Sequence, residues 1–311
     1  MKQKLAVAVD LGATNVRVAL VSPNGEILHK LKEETIKTGA NGNVVTTQIE
    51  RLIPRVFEER NGKQIAGIGI SSMGPLDHQK GGSQDSPNVP FRFIPLVKPL
   101  QKAFAMPVLL FKDTHAAVLA EKRFGAGKNV ANLVYITIST GIGGGAITDG
   151  KLLYGKSRNA AEIGHLIVDT TYAISCPTCG NNSGHWESLA SGRNIPQFFR
   201  AWARQKKKKM PRLQTAKEIF EEAKRNSTVR QFLDDLARIN AKAISDIIVA
   251  YDPELITIGG SVALNNQSII LQGIKKYVDH YLKAPKIQIT KLGEDISLLG
   301  AATAVFQKKD G

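Results

Sequence analysis

The chain has 311 residues, 42% of them hydrophobic, enough for one large domain or two ordinary ones with cores of their own. A net charge of +15 invites an anionic ligand, yet the densest basic run, residues 206–209 beside Arg204, carries no interleaved aromatics and so lacks the pattern that stacks nucleic-acid bases. Two cysteines make no disulfide framework, no apolar run approaches bilayer length, and the run LAVAV before Asp10 is too short for a signal-peptide core. The expectation is a cytoplasmic protein that binds neither nucleic acid nor membrane.

In chain order, residues 5–31 read as three strands joined by turns, and residues 44–60 as a helix that Pro54 interrupts or kinks. A buried strand at 65–72 runs into the tight turn Met73-Gly74-Pro75, and the polar, Pro-containing stretch 77–92 reads as a long loop. A short helix near 95–104, a strand at 107–111 and a helix from Thr114 to about Phe124 follow. The second half repeats the theme: a hairpin at 133–153, a Cys/His loop at 165–187, helices at 187–204, 215–225 and 228–251, a strand at 254–258, a helix at 267–282, a strand at 287–292 and a last helix from about Leu298. Alternating strands and helices predict an α/β fold with mixed sheets. The domains expected are 1–115 with the C-terminal helix 298–311 packed back on it, and 116–297.

The chemistry is organised around residues 7–21, VAVDLGATNVRVALV. An apolar strand ends in Asp10, a small-residue turn follows, and a second strand returns. Gly12 lets the backbone approach a ligand closely, Thr14 and Asn15 offer donors to phosphate oxygens, and Asp10 suits a hydrated Mg²⁺. A surface hairpin would look the same. The pattern recurs, however, at 133–153, where an apolar run ends in Ser139-Thr140, Gly141 opens a glycine turn, and the chain returns to Asp149-Gly150. Two such hairpins suggest duplicated halves offering loops to one polyphosphate across a cleft. The run from Gly141 to Ala146 is not a dinucleotide fingerprint, because a strand follows it rather than a helix.

Asp113 lies where a strand meets a helix, the place open α/β sheets put ligands, and fits a general base for phosphoryl transfer as well as a helix cap. His165, Cys176, Cys179 and His185 supply four ligands of the types structural zinc takes; a redox pair is the alternative. Glu162 and Glu187 on the same loop can accept hydrogen bonds from neutral hydroxyls, as can ordinary surface acids. Gly259 and Gly260 after a strand would give flat access to an adenine ring.

Together, DLGATN at 10–15, the Gly74-Pro75 turn, PNVP at 87–90, Asp113 with AAVLAE behind it, STGIGGG, EIGH at 162–165, the Cys/His loop and LITIGG at 255–260 resemble the repressor, open-reading-frame and kinase (ROK) family of sugar kinases, within the actin-like, ribonuclease H-like ATPases. The resemblance spans nearly the whole chain. It implies a two-lobed fold, ATP and Mg²⁺, a structural Zn²⁺, a homodimer, and transfer of the γ-phosphoryl group to a hexose. It places Asp113 at the catalytic base, Gly74, Asn88, Glu162, His165 and Glu187 about the sugar, and Asp10, Gly12, Ala13, Thr14, Asn15, Thr140, Gly141, Gly259 and Gly260 about the nucleotide. Its zinc ligands map to His165, Cys176, Cys179 and His185.

Three departures stand out. Lys112 replaces the Asn that usually precedes the catalytic Asp, Cys-x-Cys is Cys-x-x-Cys, and the third Cys is His185. The first hairpin begins by residue 5, so no DNA-binding module is expected before it. The leading expectation is a glucokinase or broad hexokinase acting at the 6-hydroxyl. The alternatives are an N-acetylmannosamine or N-acetylglucosamine kinase, and a sugar-sensing regulator.

Overall fold

A computed structural model describes residues 4–307. The chain divides into two compact units: one takes the residues up to Lys128 and those from Asp295 onward, the other runs from Asn129 to Glu294.

The first unit contains, in order, β1 (Leu5–Leu11), β2 (Asn15–Val21), β3 (Ile27–Glu34), α1 (Asn43–Phe57), β4 (Ile65–Ser72), β5 (Leu76–Asp77), β6 (Gly82–Gln84), β7 (Phe93–Pro95), α2 (Val97–Phe104), β8 (Val108–Lys112) and α3 (Asp113–Arg123). Its main sheet has the order β3-β2-β1-β4-β8, antiparallel through the hairpins and parallel from β1 to β8. β1 lies in the middle, with strands on both sides, and every one of its residues is buried, which is why it reads as a continuous apolar run. α1 buries Val45, Ile49, Leu52, Ile53 and Val56 along one stripe. Pro54 lies within this helix without ending it. Its side chain is on the exposed face, where the carbonyl that loses its partner can be hydrated. The expected loop at 77–92 also differs: β5, β6 and β7 form a small antiparallel sheet there, too short to show as periodicity.

The second unit contains β9 (Leu133–Ile138), β10 (Ile142–Thr148), β11 (Lys151–Leu152), α4 (Trp186–Ala190), α5 (Ile195–Gln205), α6 (Ala216–Glu222), α7 (Ser227–Tyr251), β12 (Leu255–Gly259), α8 (Ser261–Asn265), α9 (Gln267–Tyr277) and β13 (Lys286–Ile289). The sheet order is β11-β10-β9-β12-β13. Trp186, Phe198, Phe199, Trp202 and Phe232 fill the core, each burial worth roughly 2–3 kcal/mol. The two indole N–H groups are satisfied, by Asn240 at 2.8 Å and Asp235 at 2.6 Å. α7 is capped by the Asn226 side chain and α6 by a Thr215–Glu218 capping box. The single helix expected over 187–204 is two, with Gly192 in the break and Pro196 in the first turn of α5. The helix expected to reach 282 ends at Tyr277, and the strand expected to reach 292 ends at Ile289.

α10 (Ile296–Gln307) belongs to the first unit and packs on α3, β4 and β1. Gly300 makes this possible, since a Cβ there would stand 1.7 Å from the Ala116 carbonyl oxygen. This packing keeps α3 in the first unit, so the division falls at 128/129 and 294/295 instead of 115/116 and 297/298. Among the described residues no helix is long and apolar enough to cross a membrane.

Candidate active site and metal centre

In the first unit the parallel strands β1, β4 and β8 end at one edge. The register pairs Asp10 with Ser71, Leu11 with Ser72, and Ser72 with Lys112. Asp10 is 9% exposed and held on both sides: Arg17 donates to its Oδ2 from Nη2 at 2.7 Å and from Nε at 3.1 Å, and Ser71 Oγ donates to its Oδ1 at 3.0 Å. The turn after it is tight. Gly12 N–H donates to the Asn15 carbonyl at 3.0 Å, and Thr35 closes on the turn by hydrogen bonds to the carbonyls of Gly12 and Thr14. Thr14 is left exposed, with Ala13 and Asn15 partly so.

Asp113 opens α3 directly after β8 and is half-buried; its Oδ1 accepts the Thr114 N–H at 2.7 Å. The carboxylate therefore takes part in starting the helix while standing at the carboxyl edge of the sheet. Lys112 beside it is 7% exposed. The Gly74 turn is tied to β1 by Met73 N–H donating to the Leu11 carbonyl at 3.0 Å, and the space where a Gly74 Cβ would project is open. Asp10, the 12–15 turn, Gly74 and Asp113 thus share one edge. Asn88 is exposed on the loop after β6.

In the second unit the β9–β10 turn exposes Thr140 and brings Gly141 against Glu187, whose Oε2 would lie 2.6 Å from a Gly141 Cβ. Gly192 N–H donates to the Ser139 carbonyl at 2.7 Å, and the Ser139 and Ser261 hydroxyls are 3.1 Å apart. A cavity of about 930 Å³ opens beside this turn, lined by Thr140, Arg193, Lys217, Phe220, Val262 and Asn265 among others. Gly259 and Gly260 are not in its wall. Their missing side chains are packing space: a Cβ at Gly260 (φ +87°) would meet the Ile138 oxygen at 2.5 Å, and one at Gly259 the Tyr135 hydroxyl at 2.5 Å. The cavity's cationic and aromatic residues on α6 and Arg193 escape sequence reasoning, because they gather around the turn only in three dimensions.

The four expected metal ligands do converge. The ligand atoms of His165, Cys176, Cys179 and His185 lie within 4.8 Å of one another. His165 Nδ1 is 3.3 Å from His185 Nδ1 and 4.0 Å from Cys176 Sγ, and Cys179 Sγ is 3.5 Å from His185 Nδ1. A tetrahedral zinc would space two nitrogens by about 3.4 Å and a nitrogen and sulfur by about 3.6 Å, so the donor set fits. Burial pushes the Cys176 thiol up to about 11, and burial, then the neighbouring His165, lowers the His185 imidazole. A neutral imidazole is what a metal takes, whereas the thiols must shed protons to bind.

Glu187 is 5% exposed and turned inward. Its Oε2 accepts the Ile142 N–H at 2.7 Å, and its Oε1 accepts from the Thr178 hydroxyl and, at 3.7 Å, from Cys176 Sγ. It links the glycine turn to the Cys/His loop. Glu162 is exposed at the head of the short turn that carries His165.

The ROK family model matches residues 6–308. The chain belongs to the ROK family. It is 36% identical over 304 residues to a glucokinase of Pyrobaculum calidifontis, covering 97% of this chain and 95% of that one. Among solved structures, a ROK hexokinase from Thermus thermophilus superposes with a TM-score of 0.83 at 30% identity, covering 99% of this chain and 100% of the other. A ROK glucokinase from Streptomyces griseus, solved with glucose and AMPPNP, superposes with a TM-score of 0.76 at 26% identity, covering 97% and 99%. The fold is that of the ROK kinases, α/β with a mixed sheet in each unit. The ROK match takes in both the Asp113 edge and the Cys/His cluster.

Proposed function

We propose that this ROK protein transfers the γ-phosphoryl group of ATP to a hexose, with glucose at its 6-hydroxyl the leading acceptor. The reading is carried by Asp113, a carboxylate standing at the carboxyl edge of parallel strands in a chain akin to glucokinases along its whole length. Asp113 orients the acceptor hydroxyl and takes its proton as the phosphoryl group moves. The 12–15 turn and the Thr140–Gly141 turn present backbone and hydroxyl donors to the phosphates. The cavity beside Thr140, with Phe220 in its wall, receives the nucleoside. Asp10 has a hard oxygen at the sheet edge and fits a hydrated Mg²⁺, which would neutralise the charge of the transferring phosphate.

Gly74, Asn88, Glu162 and His165 are assigned to the sugar, with His165 using the ring nitrogen opposite the one that faces the cluster. Glu187 is assigned to the sugar as well, since a carboxylate that accepts from Ile142, Thr178 and Cys176 keeps acceptor capacity for a hydroxyl. Gly259 and Gly260 shape the β12–α8 turn beside the nucleoside without touching it. The Cys₂His₂ set holds zinc and fixes the 165–187 loop; no chemical step passes through it. A cytoplasmic homodimer is the assembly this reading expects, and sedimentation reads it directly.

The test is ADP release by the purified protein with glucose, mannose, N-acetylglucosamine and N-acetylmannosamine, alongside Asp113→Ala. Sugar-dependent release that the substitution abolishes supports the reading. Release on an N-acetylated sugar alone moves the substrate, and none on any sugar overturns the kinase.

A further inference from the structure

Asp10 owes its orientation to a residue that lies directly across the hairpin. Arg17 is the register partner of Asp10 in the β1–β2 ladder, as Ser71 is in the β1–β4 ladder, so the carboxylate is held from both neighbouring strands. The Nε and Nη2 of Arg17 both point at Oδ2, while Nη1 points the other way and donates to Asp295 Oδ1 at 3.2 Å. Asp295 is anchored in turn by Lys30 Nζ, at 2.9 Å to Oδ1 and 2.7 Å to Oδ2. Arg17 and Asp10 are shielded, with side chains 17% and 13% exposed. An isolated carboxylate so placed would be costly, and the fixed planar fork of a guanidinium sets two nitrogens on Oδ2 while a third reaches Asp295, a geometry the point charge of an ammonium does not fix.

Resting on the reading of Asp10 as the carboxylate facing a hydrated metal, we propose that Arg17 is a positioning residue for the metal–triphosphate. By occupying Oδ2 from two nitrogens it turns Oδ1, which Ser71 engages once, toward the metal's water shell. Asp295 and Lys30 keep the guanidinium from following Asp10 outward. Partners that orient a metal-facing carboxylate typically govern affinity or rate by about 10–100-fold.

Arg17→Gln and Arg17→Lys in the full chain test this, with Arg51→Gln, at the exposed pair with Glu33, as the control. The expected result is a kcat lowered about 10–100-fold in Arg17→Gln, partly restored in Arg17→Lys, with KM for glucose changed less than about twofold. The paramagnetic resonance spectrum of Mn²⁺ with ADP, which reports the metal's surroundings, changes in Arg17→Gln and not in Arg51→Gln. A folded Arg17→Gln with kcat within about twofold of wild type and an unaltered Mn²⁺ spectrum overturns the proposal. So does equal loss in the Gln and Lys variants that tracks their melting temperatures. Should Arg17→Gln fail to fold, Arg17→Lys decides: wild-type kcat and spectrum overturn the proposal, while a lowered kcat at unchanged glucose KM supports it. If the wild type itself shows no sugar-dependent turnover, the kinase reading falls, and the Mn²⁺ spectra still judge Arg17.

Discussion

The two sheets are built alike and charged differently. Each has two antiparallel hairpin pairings followed by two parallel ones, β3-β2-β1-β4-β8 in one unit and β11-β10-β9-β12-β13 in the other. In each, the first strand turns back through small residues. In the first unit the acid at the turn comes from the strand itself, as Asp10, and its neighbours in the ladder restrain it. In the second unit the turn carries only Ser139, Thr140 and glycine, and the acid beside it, Glu187, comes from α4, at the end of the Cys/His loop. One frame therefore supports two arrangements: a carboxylate held at the sheet edge by both neighbouring strands, and a backbone turn braced by a carboxylate that also accepts from Thr178 and Cys176 of the Cys/His loop.

The largest effect that tests this contrast is on the first unit's edge. Asp113→Asn is expected to lower kcat by about 10²–10⁴-fold with the glucose KM little changed. Steady-state kinetics check it, and a rise in KM alone would make Asp113 a binding group. Next comes the cluster. Cys176→Ser is expected to drop zinc from about one per chain, lower the melting temperature and weaken activity, and metal analysis with a thermal melt reads this. Because the Cys176 thiol sits at about 11 without metal, binding zinc displaces protons. The apparent zinc affinity should therefore weaken as pH falls, by up to about tenfold per pH unit for each proton displaced.

A smaller change sharpens the link between turn and brace. Gly141→Ala would place a Cβ 2.6 Å from Glu187 Oε2, so one of them must move. The cost is about 1–3 kcal/mol, read by denaturant unfolding. The smallest effect is expected where helices α7 and α9 meet. Burial alone would raise the Asp234 carboxyl, but hydrogen bonds from Lys276 and Tyr277 outweigh it and hold it below its usual range. Its contribution is present above the ordinary carboxylate value and lost as pH falls through the lowered one. At this exposed pair it stays under about 1 kcal/mol, so Asp234→Asn should narrow the stability difference between neutral and acid pH by no more than that.

What the sequence reveals is what short-range pattern can carry. β1 and β2 are apolar runs on either side of a small-residue turn, and the cluster's ligands lie within one loop, so both are legible. Pro54 does not end α1, because burial of Ile49, Leu52, Ile53 and Val56 on the opposite side outweighs the roughly 3 kcal/mol that an interior proline costs. The β5–β6–β7 sheet hides because strands of two or three residues have no period. Arg17 was within reach: counting back from the turn places it opposite Asp10. The α6 residues at the cavity and the inward turn of Glu187 were not, since each depends on packing between segments far apart in the chain.

The most direct measurement is a crystal structure of the protein with glucose and a non-hydrolysable ATP analogue. The account predicts a carboxylate oxygen of Asp113 within about 2.6–3.2 Å of the 6-hydroxyl oxygen. A hexose bound away from the end of β8, or an Asp113 carboxylate facing elsewhere, would contradict it.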